Sequence, residues 1–562
     1  MKKKVIGYLI AATFVLLVVH LIIINKYTIN WDYHHVFFAG LYHIDHPVTN
    51  TMWHHLPFVD PDPRRMVETP FGPLQSVLPA ISFVTFFENL KILPFDSAWN
   101  LPAVVSGVLG VLILSLFLLE SAGIIPAILG FLFLSFYPRY WGDLHTNVKD
   151  IPTAAMYTLS IFLAWRAVQK RKLIDIIIAG IACGITFNFK VNAIFIPIII
   201  ALWVLWLSLT KAKKKLAKPF KNLWDNIITP IGSYFLIACL SAYGIWAMFW
   251  DKPYDHLAFL IRFYQYNTLN LEVVLNGNWY CSGSTIPWYY PFWYLGAVTP
   301  VIILILFFTG LSVSLYKTFI KHTTLHPLLL LWFFVPLSRF MLPNTSTIDG
   351  IRHFEEVVFP MIAISALGAE FLWKKINKVF LRSASWRTQE KKLNKLIIHY
   401  SLFIILFIYL VYPIILYHPY QLSYFNELVG GARGAMGKYD LDYWGISQKE
   451  AVEWVNENAP LNSLVHIVMT ADTSGKYLRP DLLARLNTAG YDRSDYVILL
   501  NRQSFFYRFF YSWEYWRYHE PVYTVYANGA PLSWVYDNKK PLVAPPKDVF
   551  YTGEDPCIRK YW

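Results

Sequence analysis

An acidic residue follows the first apolar run of the chain. The run 5–24 is succeeded by a polar stretch that contains Asp32. If the run crosses a membrane, Asp32 lies at the boundary with water, where a carboxylate can act as general base on an acceptor hydroxyl. Asp is also a common N-cap of helices. On spacing alone the cap is the better interpretation of Asp32.

A second group of titratable residues crowds the segment that precedes a later apolar run. Asp143, His145, Lys149 and Asp150 all lie in this short segment. Asp150 is followed two residues later by Pro152, which predicts a helix start with the Asp at the cap. Capping does not explain why the other three residues gather at the same turn. The segment is therefore a candidate for binding or proton transfer.

Basic residues lie at the ends of two further apolar runs. Lys190 separates one pair of runs, and Arg352 and His353 open another. An ammonium attracts phosphate as a point charge, and a guanidinium can bind it with two parallel hydrogen bonds. The alternatives are snorkelling of Lys190 to water and anchoring of Arg352 to lipid headgroups. These residue types fit the phosphate of a lipid carrier and a structural role equally well.

The stretch 25–73 is rich in potential metal ligands. They are His34, His35, His43, His46, His54, His55, Asp45, Asp60, Asp62 and Glu68. Their density permits a divalent metal site, but no HExxH or other strict ligand spacing appears. The sequence therefore permits a divalent metal in this stretch without predicting one. In the later loop 251–289, His256 and Tyr289 are candidate substrate contacts, because aromatic side chains suit either sugar stacking or an interfacial belt.

The elements that must position these residues are membrane helices. The chain has 562 residues, of which 56% are hydrophobic and 15% charged, against about 25% charged in soluble domains. Runs of roughly 20 apolar residues span a bilayer. They predict about eleven spans, near 5–24, 100–119, 122–138, 151–167, 174–189, 191–209, 227–250, 290–315, 325–342, 355–373 and 396–417. The apolar segment 74–87 is shorter and predicts a helix that lies on or dips into the membrane.

The basic residues predict the orientation of these spans. With the N-terminus inside, the strong clusters at 166–172, 211–221, 317–321 and 374–395 all fall in cytoplasmic loops. This bias also accounts for the net charge of +13 without nucleic acid. The segments 25–99, 139–150, 251–289, 343–354 and 418–562 are then on the outer side. Cys281 and Cys557 would both lie there, so an oxidising compartment allows them to form a disulfide.

The chain divides into two predicted domains. Residues 1–417 form a transmembrane domain with an outer loop at 25–99, and residues 418–562 form a small extracytoplasmic α/β domain. Helical spacing over 448–456 and β-rich runs at 464–469 and 496–500 support the second domain. A helix is expected at 481–486, after Pro480. The aromatic stretch 510–540 has no clear assignment.

Together these motifs resemble the C-type membrane glycosyltransferases of the protein O-mannosyltransferase and aminoarabinose transferase superfamily. The resemblance covers most of the membrane region. The elements that carry it are Asp32, Glu68-Thr69-Pro70, Asn147-Val148-Lys149-Asp150-Ile151-Pro152, Lys190, Asp349-Gly350-Ile351-Arg352-His353-Phe354, and the segment from His418 to Gly445. In the mannosyltransferases the acidic residue that corresponds to Asp32 is often followed by Glu, whereas Tyr33 follows it here. No β-trefoil of the eukaryotic type is visible.

The resemblance implies a polyprenyl- or dolichyl-phosphate sugar donor and transfer to an acceptor hydroxyl with inversion. The acceptor would be a protein, a lipid or a glycan. Asp32 would be the general base and Asp150 a second catalytic residue, while Lys190, Arg352 and His353 would bind the donor phosphate. Glu68, Asp143, Lys149, His256 and Tyr289 are candidate substrate contacts. The implied location is a bacterial inner membrane, with the N-terminus cytoplasmic.

Two other functions fit a polytopic protein. A transporter or flippase of lipid-linked sugars typically has polar residues at mid-membrane depth, broken helices and repeats. Here the charges lie at the outer ends of spans, and no clear repeat is visible. A non-catalytic assembly protein gives no reason for acidic and basic residues to recur at several span ends. An enzyme is therefore the first prediction and a transporter the second.

Overall fold

The protein is a mostly helical structure with a small C-terminal sheet. The computed structural model describes residues 2–47, 71–211, 214, 228–266, 270–342, 345–382, 389–543 and 557, without the side chains of 34, 35, 265, 266, 379–382 and 389–399. The predicted fold class, an α-helical polytopic membrane protein with a small α/β tail, is confirmed. The predicted boundary between residues 417 and 418 stays a prediction.

Most of the helices lie in the first three quarters of the chain. They are Lys2–Ile23, Tyr33–His43, Leu74–Ser82, Phe95–Ser121, Ile124–Ser135, Pro138–Leu144, Asp150–Lys170, Leu173–Phe187, Phe195–Leu209, Thr229–Ile245, Pro253–Tyr266, Tyr290–Val298, Val301–Phe319, Leu325–Ser338, Val358–Arg382 and Gln389–Leu416. A π-helix, Phe83–Asn89, continues the helix Leu74–Ser82. The helix predicted at 74–87 is therefore confirmed as a helix.

Six helical segments among the described residues are long and apolar enough to cross a membrane. A seventh span is added if Ile124–Ser135 and Pro138–Leu144, which meet at a bend of 64°, count as one. Four shorter apolar helices, Leu173–Phe187, Thr229–Ile245, Leu325–Met341 and Tyr400–Leu416, occupy the remaining predicted positions. A multi-pass membrane protein follows, while the number of eleven spans stays a prediction.

The span predicted at 290–315 is wrong in its first part. The helix Tyr290–Val298 ends before Pro300, and a separate helix, Val301–Phe319, is the long apolar one. Proline cannot donate a backbone hydrogen bond and displaces the residue before it from helical geometry. The freed carbonyls of Gly296 and Thr299 accept hydrogen bonds of 2.6 and 2.7 Å from the Asn426 side chain. The break is therefore stabilised by the C-terminal domain.

Two long helices approach each other backbone to backbone at two glycines. Gly310 on Val301–Phe319 lies against the backbone of Ile364, and Gly368 on Val358–Arg382 lies against the backbone of Leu306. A Cβ atom at either glycine would overlap the facing carbonyl oxygen. Small residues at such positions let membrane helices approach closely. This contact holds the helix that begins after Arg352 in place.

The C-terminal domain contains a four-stranded sheet. Val465–Ile467 pairs in parallel with Tyr496–Leu500, which pairs antiparallel with Ala530–Asp537, and that strand pairs with Tyr523–Ala527. The strand predicted at 496–500 is confirmed at both ends, and helix Gln448–Asn458 confirms the one predicted at 448–456. The helix predicted at 481–486 is present but shorter, as the single α-helical turn Pro480–Leu483. Helix Tyr511–Tyr518 and the last two strands occupy the unassigned stretch.

The C-terminal domain packs directly on the membrane helices. Buried residues of both regions belong to one continuous apolar core. Tyr477 donates a 2.7 Å hydrogen bond to Asp96, and Lys476 forms an ion pair with the same carboxylate. The second attachment is the predicted disulfide between Cys281 and Cys557, which is present. Cys281 ends the hairpin formed by Glu272–Leu275 and Asn278–Cys281.

Candidate active site

Charged side chains from four separate segments meet at one end of the helices. We call Asp32, Lys149, Asp150, Lys190, Asp349 and Arg352 the charged cluster. Asp32 precedes helix Tyr33–His43, and Asp150 begins helix Asp150–Lys170. Lys190 lies in the turn after Leu173–Phe187, and Arg352 begins the turn that leads into Val358–Arg382. Each segment places its polar residue where an apolar helix ends.

Asp32 is held by two cations. Its Oδ2 atom accepts a 2.6 Å hydrogen bond from Lys149 Nζ and a 2.8 Å hydrogen bond from Arg352 Nη1. The Asp32 side chain is 33% exposed, while those of Lys149 and Arg352 are about a tenth exposed or less. Asp32 therefore has the most accessible side chain of these three.

The two cations also set the protonation of Asp32. Burial raises the pKa of this carboxyl, and the charges and hydrogen bonds of Lys149 and Arg352 more than offset that effect. The net result is a pKa well below the ordinary value for aspartate. Asp32 is consequently ionised at neutral pH and able to accept a proton.

A second ion pair lies beside the first. Lys190 Nζ donates a 2.5 Å hydrogen bond to Asp150 Oδ1, and Asn147 Nδ2 donates a 3.0 Å hydrogen bond to Asp150 Oδ2. Asn147 Oδ1 accepts from the backbone N–H groups of Lys149 and Asp150. The expectation that Asp150 caps its helix is therefore wrong. The N-cap position is occupied by Lys149, and both carboxylate oxygens of Asp150 bind side chains.

Asp349 joins the cluster to the C-terminal domain. Asp349 has φ of 58° and Gly350 has φ of 68°, the left-handed region that Asp tolerates better than most residues. Asp349 Oδ2 is 2.5 Å from Arg352 Nη2, and its Oδ1 is 2.5 Å from Arg502 Nη2. Arg352 thus bridges two carboxylates, those of Asp32 and Asp349.

The other predicted phosphate ligand, His353, lies beside this cluster. Its backbone carbonyl accepts a 3.1 Å hydrogen bond from Asn192 and another from Arg339. The ring atom Nε2 is buried and has no hydrogen-bond partner among the described residues. The ring is therefore available for a polar ligand or a water molecule.

The predicted substrate contacts are dispersed. Lys149 is in the charged cluster. Asp143 is fully buried and accepts a 3.2 Å hydrogen bond from Asn147. His256 lies half-buried on helix Pro253–Tyr266, and Tyr289 stands in an exposed aromatic group with Trp288 and Trp293. Glu68 lies outside the described residues.

Sequence reasoning missed three residues near the cluster, Tyr264, Phe71 and Arg502. Tyr264 lies on the same helix as His256, and burial together with the neighbouring Asp150 carboxylate raises its pKa, against the charge of Arg339. Phe71 packs against this helix through Phe263 and lies 5.4 Å from Lys149 Nζ. The helical period from His256 would have pointed to 263 and 264 as the same face. Arg502 gave no local signal.

A metal site is not formed by the residues that the structure describes. None of the histidine, cysteine, aspartate and glutamate side chains described gather in groups of three or more around a possible ion position. The loop histidines His54 and His55, with Asp60, Asp62 and Glu68, lie outside the described residues.

Several solved structures are similar to this chain. ArnT from Cupriavidus metallidurans in the apo state has 12% identity and a TM-score of 0.47, covering 95% of this chain and 97% of that chain. The same protein bound to undecaprenyl phosphate has 13% identity, the same TM-score and the same coverage. The Archaeoglobus fulgidus oligosaccharyltransferase has 12% identity and a TM-score of 0.45, covering 90% of this chain and 73% of that chain. No curated protein sequence matches.

One family model matches part of the chain. It is described as dolichyl-phosphate-mannose-protein mannosyltransferase and matches residues 93–229. The matched segment includes Asn147, Lys149, Asp150 and Lys190, so it contains half of the charged cluster. Over these residues the chain has the sequence pattern of the dolichyl-phosphate-mannose-protein mannosyltransferase family, which confirms the resemblance stated from its motifs.

Proposed function

We propose that this protein is a membrane glycosyltransferase that transfers a sugar from a polyprenyl-phosphate donor to an acceptor hydroxyl. The observation that carries the proposal is Asp32, an ionised and partly exposed carboxylate held by Lys149 and Arg352. A second Asp–Lys pair lies next to it. The family match over residues 93–229 supports the same reaction class.

The charged cluster suits an anionic leaving group. Lys149, Lys190 and Arg352 are each paired with a carboxylate. A phosphate that enters the site competes for these cations, which stabilise the charge that grows on the phosphate in the transition state. Asp32 loses part of its cationic environment as this happens, and it becomes a stronger base. Donor binding and activation of the base are thereby coupled.

The proposed step is a single displacement. The acceptor oxygen forms a bond to the anomeric carbon while the bond from that carbon to the phosphate oxygen breaks. The leaving polyprenyl phosphate takes the electron pair, and Asp32 takes the acceptor proton. Attack from the face opposite the leaving group inverts the anomeric carbon. Asp150, bound to Lys190 and Asn147, orients the phosphate-binding lysine.

The site is proposed to face the extracytoplasmic side of an inner membrane. The positions of the basic clusters favour an inside N-terminus. The Cys281–Cys557 disulfide supports this orientation, because such bonds persist in oxidising compartments. A soluble nucleotide sugar is not supplied there, so a membrane-delivered donor is required. The acceptor is a protein, lipid or glycan hydroxyl.

A transporter or flippase of lipid-linked sugars is the second candidate. It is favoured by the helices broken between 135 and 138 and between 298 and 301. A transporter moves its substrate without cleaving it. Release of the sugar from its phosphate therefore distinguishes the two functions.

The test is transfer of radiolabelled sugar from a panel of polyprenyl-phosphate sugars, in membranes that contain wild type or Asp32→Asn. Proton transfer by a placed base contributes typically about 10²–10⁴-fold, so Asp32→Asn should lower turnover by about that factor. Asp45→Asn, in the same loop, is the matched control and should retain turnover. If Asp32→Asn retains full turnover, Asp32 is not the general base. If folded wild type releases sugar from none of the donors, the transporter function is favoured.

A further inference from the structure

Arg502 of the C-terminal domain reaches the charged cluster from outside the membrane region. It follows strand Tyr496–Leu500 and is only 4% exposed. Its guanidinium lies 5.4 Å from the ring of Trp31, the residue before Asp32, and 3.6 Å from the ring of Phe505. Its Nη2 atom binds Asp349, which in turn binds Arg352. Arg502 therefore approaches Asp32 by two separate routes.

We infer that Arg502 is a positioning residue, which holds Arg352 in place for Asp32 and the donor phosphate through the shared carboxylate of Asp349. This inference rests on the proposed function.

The charges around Asp349 explain how Arg502 acts. Asp349 is 6% exposed and lies between two guanidinium groups. With Arg502 present, only part of the Asp349 charge is available to Arg352, so Arg352 also binds Asp32. Without Arg502 the buried carboxylate has Arg352 as its remaining guanidinium partner and draws it away from Asp32. Removal of one partner leaves a buried charge uncompensated, and Arg352 is the cation already in contact with Asp349 that can compensate it.

Arg502 is itself firmly placed. Its Nη1 atom donates a 2.7 Å hydrogen bond to the carbonyl of Tyr443. Two residues later, Ser504 donates to Asp440 through its backbone N–H and through its hydroxyl, the latter at 2.6 Å. A guanidinium fixed in this way holds the Asp349 carboxylate in one position. A lysine ammonium on its flexible side chain would hold it less rigidly.

A neighbouring arginine provides the control. Arg508 Nε forms a 2.6 Å ion pair with Glu272, in the hairpin that carries Cys281, and its guanidinium lies 5.3 Å from the Phe505 ring. It attaches the same part of the C-terminal domain to the membrane region but does not contact Asp349. Loss of Arg508 therefore reports on docking of the domain alone.

The experiment compares Arg502→Gln, Arg502→Lys and Arg508→Gln, and repeats Arg502→Gln in an Asp349→Asn background. Arg502→Gln should lower kcat about 10–100-fold with donor KM changed less than about 3-fold, because the lost interaction grows with the charge of the leaving phosphate. Arg502→Lys should restore part of kcat. In the Asp349→Asn background the same change should cost less than about 3-fold, since residues that act through one partner are not additive.

A binding measurement tests the inference without turnover. Polyprenyl phosphate carries the charge of the leaving group, so Arg502→Gln should weaken its binding by about 5–50-fold, and Arg508→Gln should not. If wild type binds polyprenyl phosphate but transfers no sugar, the proposed function fails while this measurement still decides the role of Arg502. Three results would each overturn the inference. The first is an equal loss of polyprenyl phosphate binding in Arg502→Gln and Arg508→Gln, and the second is effects of Arg502→Gln and Asp349→Asn on kcat that multiply. The third is wild type that binds no polyprenyl phosphate.

Discussion

At the scale of residues, the candidate site consists of carboxylates and cations in direct contact, some of which bind two partners. Asp32 and Asp150 are bound by Lys149, Arg352 and Lys190, with distances of 2.5–2.8 Å. Buried ion pairs of this kind are weak evidence for stability, because desolvation offsets much of their attraction. Their concentration at the ends of four segments is the arrangement that the proposed binding of a donor phosphate requires.

The lowered pKa of Asp32 leads to a prediction on pH. Only the ionised carboxylate accepts a proton, so in wild type the acidic limb of the kcat/KM profile lies below the ordinary range of aspartate. Lys149→Met removes one of the two cations and raises the pKa of Asp32. The acidic limb should then move to higher pH.

The control for this prediction is Lys438→Met, which removes the same charge from an exposed position. Its pH profile should coincide with that of wild type. A shift of equal size in both variants would mean that net charge, rather than the contact with Asp32, sets the profile. An unshifted limb in Lys149→Met would mean that Asp32 is not the group that titrates.

The residues of the site were predictable only where local sequence carries a signal. Asp32, Lys149, Asp150, Lys190 and Arg352 each follow or precede an apolar run, and a charge at such a position is conspicuous because the neighbouring residues are apolar. The contacts that these residues make could not be predicted in the same way. The pairing of Asp150 with Lys190 joins residues from different segments. The hydrogen bonds from the N–H groups of Lys149 and Asp150 to Asn147 depend on backbone geometry.

Arg502 shows why long-range contacts escape sequence reasoning. It stands in a soluble-like domain among other arginines, such as Arg493 and Arg508, and no periodicity distinguishes the one that points to the membrane region. Arg502 reaches Asp349 only because the C-terminal domain packs on the membrane helices in this orientation. Asp96, which binds Lys476 and Tyr477, was missed for the same reason.

At the scale of elements, helix ends determine the site and helix contacts keep those ends fixed. The break at Pro300 and the hydrogen bonds from Asn426 to Gly296 and Thr299 connect the helices Tyr290–Val298 and Val301–Phe319 to the C-terminal domain. The sequence predicted a continuous span there because apolar residues continue through the break. Proline is tolerated within apolar helices, so its position did not decide the matter.

The contact between Gly310 and Gly368 gives a prediction at this scale. Gly310→Ala adds one methyl group where the backbone of Ile364 already stands, so the helices must separate. Overpacking of this kind typically costs about 1–3 kcal/mol, and the thermal midpoint of the purified protein should fall by several degrees. Gly232→Ala is the matched control, because a Cβ there meets nothing within 4 Å. Equal midpoints for the two variants would contradict the packing described.

At the scale of the whole molecule, the C-terminal domain and the membrane helices form one unit. They share an apolar core, the ion pair of Lys476 with Asp96 and the disulfide between Cys281 and Cys557. The division that the sequence suggested at residue 418 therefore marks a change in composition. It does not separate two parts that are structurally independent. Arg502 and Asn426 both act across that division.

The disulfide supplies the prediction at this scale. Removal of a native disulfide typically costs about 2–5 kcal/mol, so Cys281→Ser and Cys557→Ser should lower the thermal midpoint equally. The double variant should be no less stable than either single one. Cys239→Ser, which changes an exposed free cysteine, is the control and should leave the midpoint unchanged. A larger loss in the double variant would show that the two cysteines act separately.

The same bond makes the second half of the chain a covalent ring. It joins residues 276 positions apart, and the basic stretch 374–395 lies within that interval. A protease that cuts once in this stretch opens the ring without releasing a fragment. The nicked protein then migrates as one band until a reductant is added and as two bands afterwards. An intact-looking preparation on a non-reducing gel is thus no proof of an intact backbone.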